Sequence, residues 1–362
     1  MLHHAGKLLL RRDEAPEVPD LGHEISQLPD WSILVFLFNA LIFLPIFIII
    51  NYTFDTVFPV LAIVEDEKPP AYDPLPVEPF AADDDMPKPA GNASAPVAGQ
   101  GIPITSSFRA TWRVLRSNGG FRALFRGLPC LIAQGFVTGI ISAALSAILP
   151  FPMVFGSLIS SLLLVQLSTA WVHIVITPAS PLRFWRRLPP FKSTFRATWK
   201  PVLIYWVATE VANFGTVAIV YLLHAKQGSR VNDANSFGSA VGVLIAAIIL
   251  QIALQIPAYM ILVRIQASLL PVDADTIIPF DRSFNGRIEP VIVGGLGYAT
   301  VRDAWSSFSK SAWRRIVMIH VKVTGISIAA SLLMVAVIVP QFILLASLAT
   351  GGDDSGNEDM KM

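Results

Sequence analysis

The sequence predicts an all-α membrane protein, a bundle of six transmembrane helices arranged as three similar helix pairs with short surface helices. Three observations predict it. Six long apolar segments dominate a chain in which only 15% of residues are charged, whereas a soluble domain carries roughly a quarter. The segments between them differ in charge, and a short basic sequence recurs once in each pair.

Each apolar segment is long enough to cross a bilayer, which takes about 20 apolar residues. Because backbone groups in lipid must be satisfied within the segment, each is expected to be helical. Pro45, Pro59, Pro257 and Pro340 offer points of bending in the longer segments. The segments are 31–64, 128–149, 152–177, 201–224, 237–270 and 316–349.

The connecting segments place positive charge on one side of the membrane. Residues 105–127 contain five basic residues and no acid, residues 179–200 contain six and no acid, and residues 302–315 contain four with one acid. By the positive-inside rule these segments are expected to face the cytosol or the mitochondrial matrix. The other connections and both termini then face the opposite side.

This pattern divides the chain into three repeats between two tails. The predicted divisions are a polar N-terminal tail 1–30, repeat 1 at 31–149, repeat 2 at 150–224, repeat 3 at 225–349 and an acidic tail 350–362.

Repeat 1 contains an insertion, residues 65–104, with nine prolines and eight acids. Such a composition cannot bury enough apolar surface to fold, so we predict a disordered insertion. Asp83, Asp84 and Asp85 within it are candidates for binding a cation or a basic protein partner. The alternative is a solvated acidic loop.

The recurring basic sequence is Phe108-Arg-Ala-Thr-Trp112, repeated as Phe195-Arg-Ala-Thr-Trp199 and more weakly as Val301-Arg-Asp-Ala-Trp305. Arginine and tryptophan on a short helix suit the membrane interface, where indole rings lie at the headgroups and guanidinium groups meet phosphates. We therefore expect the lipid bilayer to be the partner of these segments, and no nucleic acid.

These features resemble the mitochondrial carrier family, whose three repeats each hold an odd helix, a surface helix and an even helix. The motif Gly120-Phe-Arg-Ala-Leu-Phe125-Arg126-Gly127 is similar to the family sequence that leads into an even helix. Pro257, Arg264 and Gln266 match the proline, the second base and the glutamine of the odd-helix motif. In repeat 2, Trp199-Lys200-Pro201 is a second possible match, which competes with the alignment of Phe195 to Trp199.

Other family positions are not matched. Tyr259 stands in place of the acid and Leu262 in place of the first base, and the first span has Leu61 and Val64 at the corresponding places. In the family these charges form ion pairs that close one side of a central cavity. The resemblance therefore implies that this chain either closes by apolar contact or no longer alternates between two states.

The resemblance also implies a substrate site on the even helices. Counting from the aromatic-basic-glycine motif gives Gln134 and Lys322, and the same count falls two residues from Glu210. Ionisable residues inside spans are functional candidates by default. Alternatively, Glu210 pairs with Lys322 to hold helices together, or Lys322 extends to the membrane interface.

A helix face of small residues and a single histidine are expected to have structural roles. Gly135 and Gly139 belong to a small-residue face that allows close helix packing. His173 lies alone in an apolar run, and no second His or Cys is spaced to complete a metal site.

The sequence has no recognisable histidine motif, Gly-rich phosphate loop or Ser-His-Asp arrangement. It therefore predicts neither an enzyme nor a cofactor. We expect a divergent carrier-like membrane protein, in the inner or outer mitochondrial membrane, that transports a small anionic or zwitterionic metabolite. The alternative is a non-transporting scaffold that recruits partners through its acidic insertion. A third reading is an unrelated six-span protein of another membrane.

Overall fold

The computed structural model describes residues 31–66, 103–148, 153–227, 233–284, 286–289 and 293–358. Within these ranges the chain is helical and contains no strand. Five of the described helices are long and apolar enough to cross a membrane, or six if one bent pair is counted as a single span. The all-α fold with membrane-spanning capacity is confirmed. The polar tail 1–30 and most of the acidic insertion lie outside the described residues.

The helices lie along the apolar segments. The α-helices are α1 Ser32–Ile48, α2 Phe58–Val64, α3 Phe108–Ser117, α4 Leu128–Ile148, α5 Met153–Leu163, α6 Val165–Ile176, α7 Phe191–Gln227, α8 Asp233–Leu250, α9 Ile256–Ser268, α10 Val301–Ser306 and α11 Lys310–Glu358. Two π-helical segments, Ile49–Val57 and Gln251–Gln255, join α1 to α2 and α8 to α9.

The described chain falls into two compact units. The first contains α1 and the part of α11 from Gly325 onwards. Inside it, Asn39 is only 5% exposed, and its amide donates to Gln341 Oε1 at 2.5 Å. A polar pair between such apolar helices fixes their register, because each amide depends on the other for a hydrogen-bond partner.

The second unit, Ile49–Thr324, is built around α2, α6 and α9, each of which packs against the other two. We call these the three-helix cluster. Apolar side chains make up most of its interior, with Leu61, Val175 and Val263 fully buried.

Each helix of the three-helix cluster begins directly after a break. Pro59 and Pro257 lie in the first turns of α2 and α9, immediately after the π-helical segments. A proline lacks the backbone N–H that would bond the preceding turn, which accounts for the local widening. The predicted span 152–177 is instead two helices, α5 and α6, which meet at Leu164 with a bend of 64°.

The remaining helices of this unit surround the cluster. α7 packs against both α6 and α9, and α4 against both α5 and α6. α5 approaches α4 closely at Gly156, where an added Cβ would lie 3.2 Å from the Cα of Ser142 on α4. Apolar side chains point outward, among them Phe136 and Phe214, which are 70% and 64% exposed. Such faces suit a lipid environment.

The three basic connectors begin at the same end of the unit. Asp66, after α2, donates its N–H to the carbonyl of Pro279 at 2.9 Å. Ile277 donates to the carbonyl of Ile176, the last residue of α6, also at 2.9 Å. The chain after α9 thus contacts the ends of both other cluster helices.

The connectors differ in detail. The first copy of the recurring sequence forms the separate helix α3, and the third begins α10. The second lies within α7, which starts at Phe191 rather than at residue 201 and continues through Pro201. Basic, amphipathic residues extend this helix beyond the apolar stretch that hydropathy detects.

Candidate functional site: a polar cavity

A cavity of about 340 Å³ lies in the second unit, beside the three-helix cluster. Its lining comes from α4, α6, α7, α9, α11 and both π-helical segments. Most of the lining side chains carry a polar group, namely Asp55, Thr56, Gln134, Ser168, Trp171, Tyr205, Gln251, Gln255, Tyr259, Gln266 and His320. In helices that are otherwise apolar, so many polar groups facing one space mark a candidate binding site.

The charged side of the cavity is formed by Asp55 and His320. Their Oδ1 and Nδ1 atoms are 3.7 Å apart, which is too long for a hydrogen bond. The side chains are 46% and 12% exposed, respectively. Within the described residues, His320 Nε2 is buried without a hydrogen-bond partner. Buried polar atoms are nearly always bonded, so this atom is available to a bound molecule or water.

An aromatic wall stands beside these groups. The rings of Tyr205 on α7 and Tyr259 on α9 have centroids 5.5 Å apart. The indole of Trp171 on α6 also lines the cavity. These three aromatic side chains form one wall of the cavity.

Hydrogen bonds between α6 and α9 close the base of the cavity. Gln266 is 1% exposed, and its Nε2 donates to Ser168 Oγ at 2.8 Å. The backbone carbonyl of Gln266 lies 2.8 Å from His173 Nε2. His173 is therefore hydrogen-bonded to the neighbouring cluster helix, as the structural interpretation of this residue expects.

Arginines bond to the C-terminal ends of the cluster helices. Arg264 Nη1 donates to the Ile63 carbonyl at 3.2 Å, and Arg315 Nη2 donates to the Ala62 carbonyl at 2.9 Å, both at the end of α2. Arg126 Nη1 donates to the Thr177 carbonyl at the end of α6, at 2.6 Å. Cations stabilise these ends because the last carbonyls lack helical partners and carry partial negative charge.

Arg264 also lies between two aromatic rings. Its guanidinium carbon is 4.6 Å from the ring centroid of Phe284 and 5.3 Å from that of Phe308. Its Nη2 donates to Ser307 Oγ at 2.9 Å. This base is thus held by a carbonyl, a hydroxyl and two ring faces.

Arg187, in the connector after α6, is half-buried and bonds to the end of that helix. Arg187 Nη2 donates to Thr177 Oγ1 at 2.7 Å. Burial lowers the pKa of Arg187 from its ordinary value, because the charged form loses hydration.

The Gly120–Gly127 motif forms the turn before α4. Gly120 has φ +65° and begins the 3₁₀ segment Gly120–Phe125, in which Phe125 packs on Phe121 with ring centroids 5.5 Å apart. Gly127 has φ +80°. The carbonyl of Arg126 accepts the hydroxyl of Tyr52, and Tyr52 accepts the Trp171 indole N–H at 3.2 Å. The motif thus joins α4 to the wall of the cavity.

The structure does not bring the three predicted substrate residues together. Gln134 lines the cavity. Glu210 is half-buried on α7 and is not among the lining residues. Lys322 is exposed in a different groove, with its Nζ 5.8 Å from the Phe108 ring centroid. Within the described residues, Glu210 and Lys322 do not form the ion pair considered as an alternative.

Sequence reasoning missed several residues of this region. Asp55 carried a signal, since it is an acid inside an apolar span, and such residues are candidates wherever they occur. Tyr205 carried none, because its position in the cavity depends on how α7 rotates against its neighbours. Glu65 was placed in the insertion, yet it is 3% exposed and lies 3.7 Å from Arg315.

Glu65 also binds the chain that returns from the insertion. Its carboxylate accepts the backbone N–H of Ile104 at 2.5 Å and that of Thr105 at 3.0 Å. The Thr105 hydroxyl donates to the same carboxylate at 2.5 Å. A buried acid with three hydrogen bonds and an arginine partner is well satisfied. We call Glu65, Thr105 and Arg315 the connector clasp.

Comparisons of the chain with protein-family models, with curated proteins and with solved structures find no match. The fold and the cavity therefore define the class only as an α-helical protein with several helices able to cross a membrane.

Proposed function

We propose that the protein is a divergent, carrier-like membrane transporter that holds a small polar solute in the cavity described above. One observation carries the proposal: a polar cavity lies against one apolar, closed cluster in a unit whose outer surface is apolar. A transporter needs this combination, a site for a polar solute and a barrier at one of its ends. The resemblance to mitochondrial carriers suggests a mitochondrial membrane.

The cavity changes the substrate expected from sequence. Among the described residues, no Lys or Arg lines the cavity, and Asp55 is the only Asp or Glu that does. A purely anionic solute would meet the Asp55 carboxylate without a lysine or arginine to compensate it. Of the two classes expected from sequence, a zwitterion is the one that this lining supports.

Solute uptake into proteoliposomes tests the proposal. The purified full-length chain is reconstituted and supplied with a panel of labelled amino acids, amines and carboxylates. We expect saturable uptake of at least one solute, and we expect Gln134→Leu to reduce it, because the leucine removes a hydrogen-bonding amide from the cavity. Gly135→Ala is the matched control, since an added Cβ there has nothing within 4 Å. Absence of uptake for the whole panel would refute transport.

A non-transporting adaptor is the second candidate, favoured by the connector clasp. The clasp fixes both ends of the insertion at the end of the unit where the basic connectors begin. An adaptor that recruits through the insertion should lose its partner in a pull-down when residues 67–102 are removed. A transporter should keep its flux in the same variant.

A further inference from the structure

We propose that the cavity recognises the ammonium group of a small organic cation or zwitterion, with Asp55 as its counter-ion and the tyrosine faces as its walls. This inference deepens the proposed function and rests on the same cavity. It specifies the chemical class of the ligand and the residues that select it.

The first argument is charge. Of the residues that the structure describes, Asp55 is the only Asp, Glu, Lys or Arg that lines the cavity. Its Oδ1 lies beyond hydrogen-bond distance of His320 Nδ1, at 3.7 Å. The carboxylate therefore has acceptor capacity left, and because its side chain is 46% exposed it is accessible to a ligand of opposite charge that enters the cavity.

The second argument is the aromatic wall. Tyr205 and Tyr259 lie together, and Trp171 lines the same space. Aromatic faces attract cations through the ring quadrupole, and several faces around one acid form the usual setting for ammonium groups. A carboxylate or phosphate ligand would gain nothing from these faces.

The third argument is the remaining polarity. Gln134, Gln251 and Gln255 present amides around the cavity. An amide donates as well as accepts, so these side chains suit the hydroxyl or carboxylate end of a molecule whose ammonium end lies at Asp55. The unpartnered Nε2 of His320 provides a further polar contact.

A multivalent metal ion fits less well. Within the described residues, no group of three His, Cys, Asp or Glu side chains is placed to hold one. A cavity of about 340 Å³ also exceeds the space that one ion fills. This volume lies within the range of small-molecule sites, at the lower end of roughly 300–1,000 Å³.

Calorimetric titration of the full-length protein in nanodiscs tests the proposal with four probes. These are choline, glycine betaine, succinate and 3,3-dimethyl-1-butanol, an uncharged analogue of choline with carbon in place of nitrogen. We expect choline or glycine betaine to bind at least about tenfold more tightly than the uncharged analogue and succinate, because only the ammonium probes engage the acid and the rings.

Variants assign the preference to residues. Asp55→Asn should reduce ammonium affinity at least about tenfold and abolish the preference over the uncharged analogue. Asp273→Asn removes an equal charge from an exposed position outside the cavity and should change neither. Tyr259→Phe keeps the ring and should retain binding, whereas Tyr259→Leu should weaken it. This second pair tests the proposal even if Asp55→Asn fails to fold.

The outcomes separate this inference from transport. Tighter binding of succinate, equal binding of choline and its uncharged analogue, or no binding of either ammonium probe would overturn the inference. Uptake of an anion that requires Gln134 would leave transport standing while overturning the ammonium assignment. Ammonium binding that depends on Asp55, without any uptake, would support the ammonium assignment and refute transport.

Discussion

Gly127 is the position at which one residue most constrains the cavity wall. Its φ of +80° lies in the left-handed region, which a side chain disfavours by about 1–2 kcal/mol. A Cβ added there would lie 3.0 Å from Trp171 Cδ1 and 3.3 Å from the Tyr52 hydroxyl. Both neighbours are 4% exposed and hydrogen-bonded to each other, so neither can move without cost.

We therefore expect Gly127→Ala to lower the midpoint of thermal denaturation in detergent, at a cost of about 1–2 kcal/mol from the backbone alone. Gly135→Ala is the matched control on α4, where nothing lies within 4 Å of the added Cβ. Alanine in that helix should be neutral or stabilising by up to about 1 kcal/mol. Equal midpoints for the two variants would mean that the turn tolerates a side chain.

At this scale the sequence predicts backbone requirements better than it predicts contacts. The motif identifies Gly120 and Gly127, and both have positive φ. The small-residue face predicted from Gly135 to Ala147 does pack closely, but not at Gly135 or Gly139, where an added Cβ meets no described atom within 4 Å. The close approach on that face occurs at Ser142, and only the helix rotation decides which small residue is used.

At the scale of elements, the three-helix cluster combines apolar packing with arginine capping of helix ends. The bases Arg264, Arg315 and Arg126 bond to carbonyls at helix ends. Carbonyls at helix ends satisfy these guanidinium groups, and the buried carboxylate of Glu65 also lies 3.7 Å from Arg315. The three arginines therefore all have partners at the helix ends.

Helix existence was predictable because lipid demands apolar length. The bounds were less so, since α7 begins ten residues before its predicted segment and α11 ends nine residues after its own. The breaks were only partly predictable. Pro59 and Pro257 mark two of them, but the bend at Leu164 has no proline. That bend depends on packing against α4 and α7, which periodicity along one helix does not encode.

Cysteine labelling distinguishes the cavity from the cluster. Cys130, the only cysteine of the chain, is replaced by alanine, and single cysteines are introduced at Gln255, Val263 and Ile249. We expect a water-soluble thiosulfonate to label Gln255→Cys in nanodiscs, because it lines the cavity and a thiol needs water to ionise. Val263→Cys should resist labelling, since that position is fully buried in the cluster.

The third position separates water from lipid. Ile249 is 59% exposed on the outside of α8, so Ile249→Cys should react only if that face meets water. Labelling at Ile249 would contradict a lipid-facing surface. Labelling at Val263 would show that the cluster opens, and protection of Gln255 would show that the cavity is dry.

At the scale of the whole molecule, the connector clasp decides how the acidic insertion relates to the bundle. Residues 67–102 lie between Asp66 and Pro103, and Glu65 contacts Ile104 and Thr105 directly. The two ends of the insertion are therefore held together by described residues alone. Composition detects the insertion but misplaces its limits, because the burial of Glu65 is a tertiary property.

This geometry predicts that the length of the insertion is unimportant for the stability of the bundle. Replacing residues 67–102 by a short Gly-Ser linker should leave the denaturation midpoint unchanged, because the ends already meet and a shorter loop costs less closure entropy. Removing residues 65–105 should lower it, because Arg315 loses its buried acid. Its side chain is 7% exposed and that of Glu65 is 1% exposed. Breaking such a pair from one side costs about 3–5 kcal/mol.

Equal loss in the two deletions would show that the insertion itself supports the fold. Glu65→Gln with the insertion intact should reproduce part of the larger deletion's effect, since it removes only the charge.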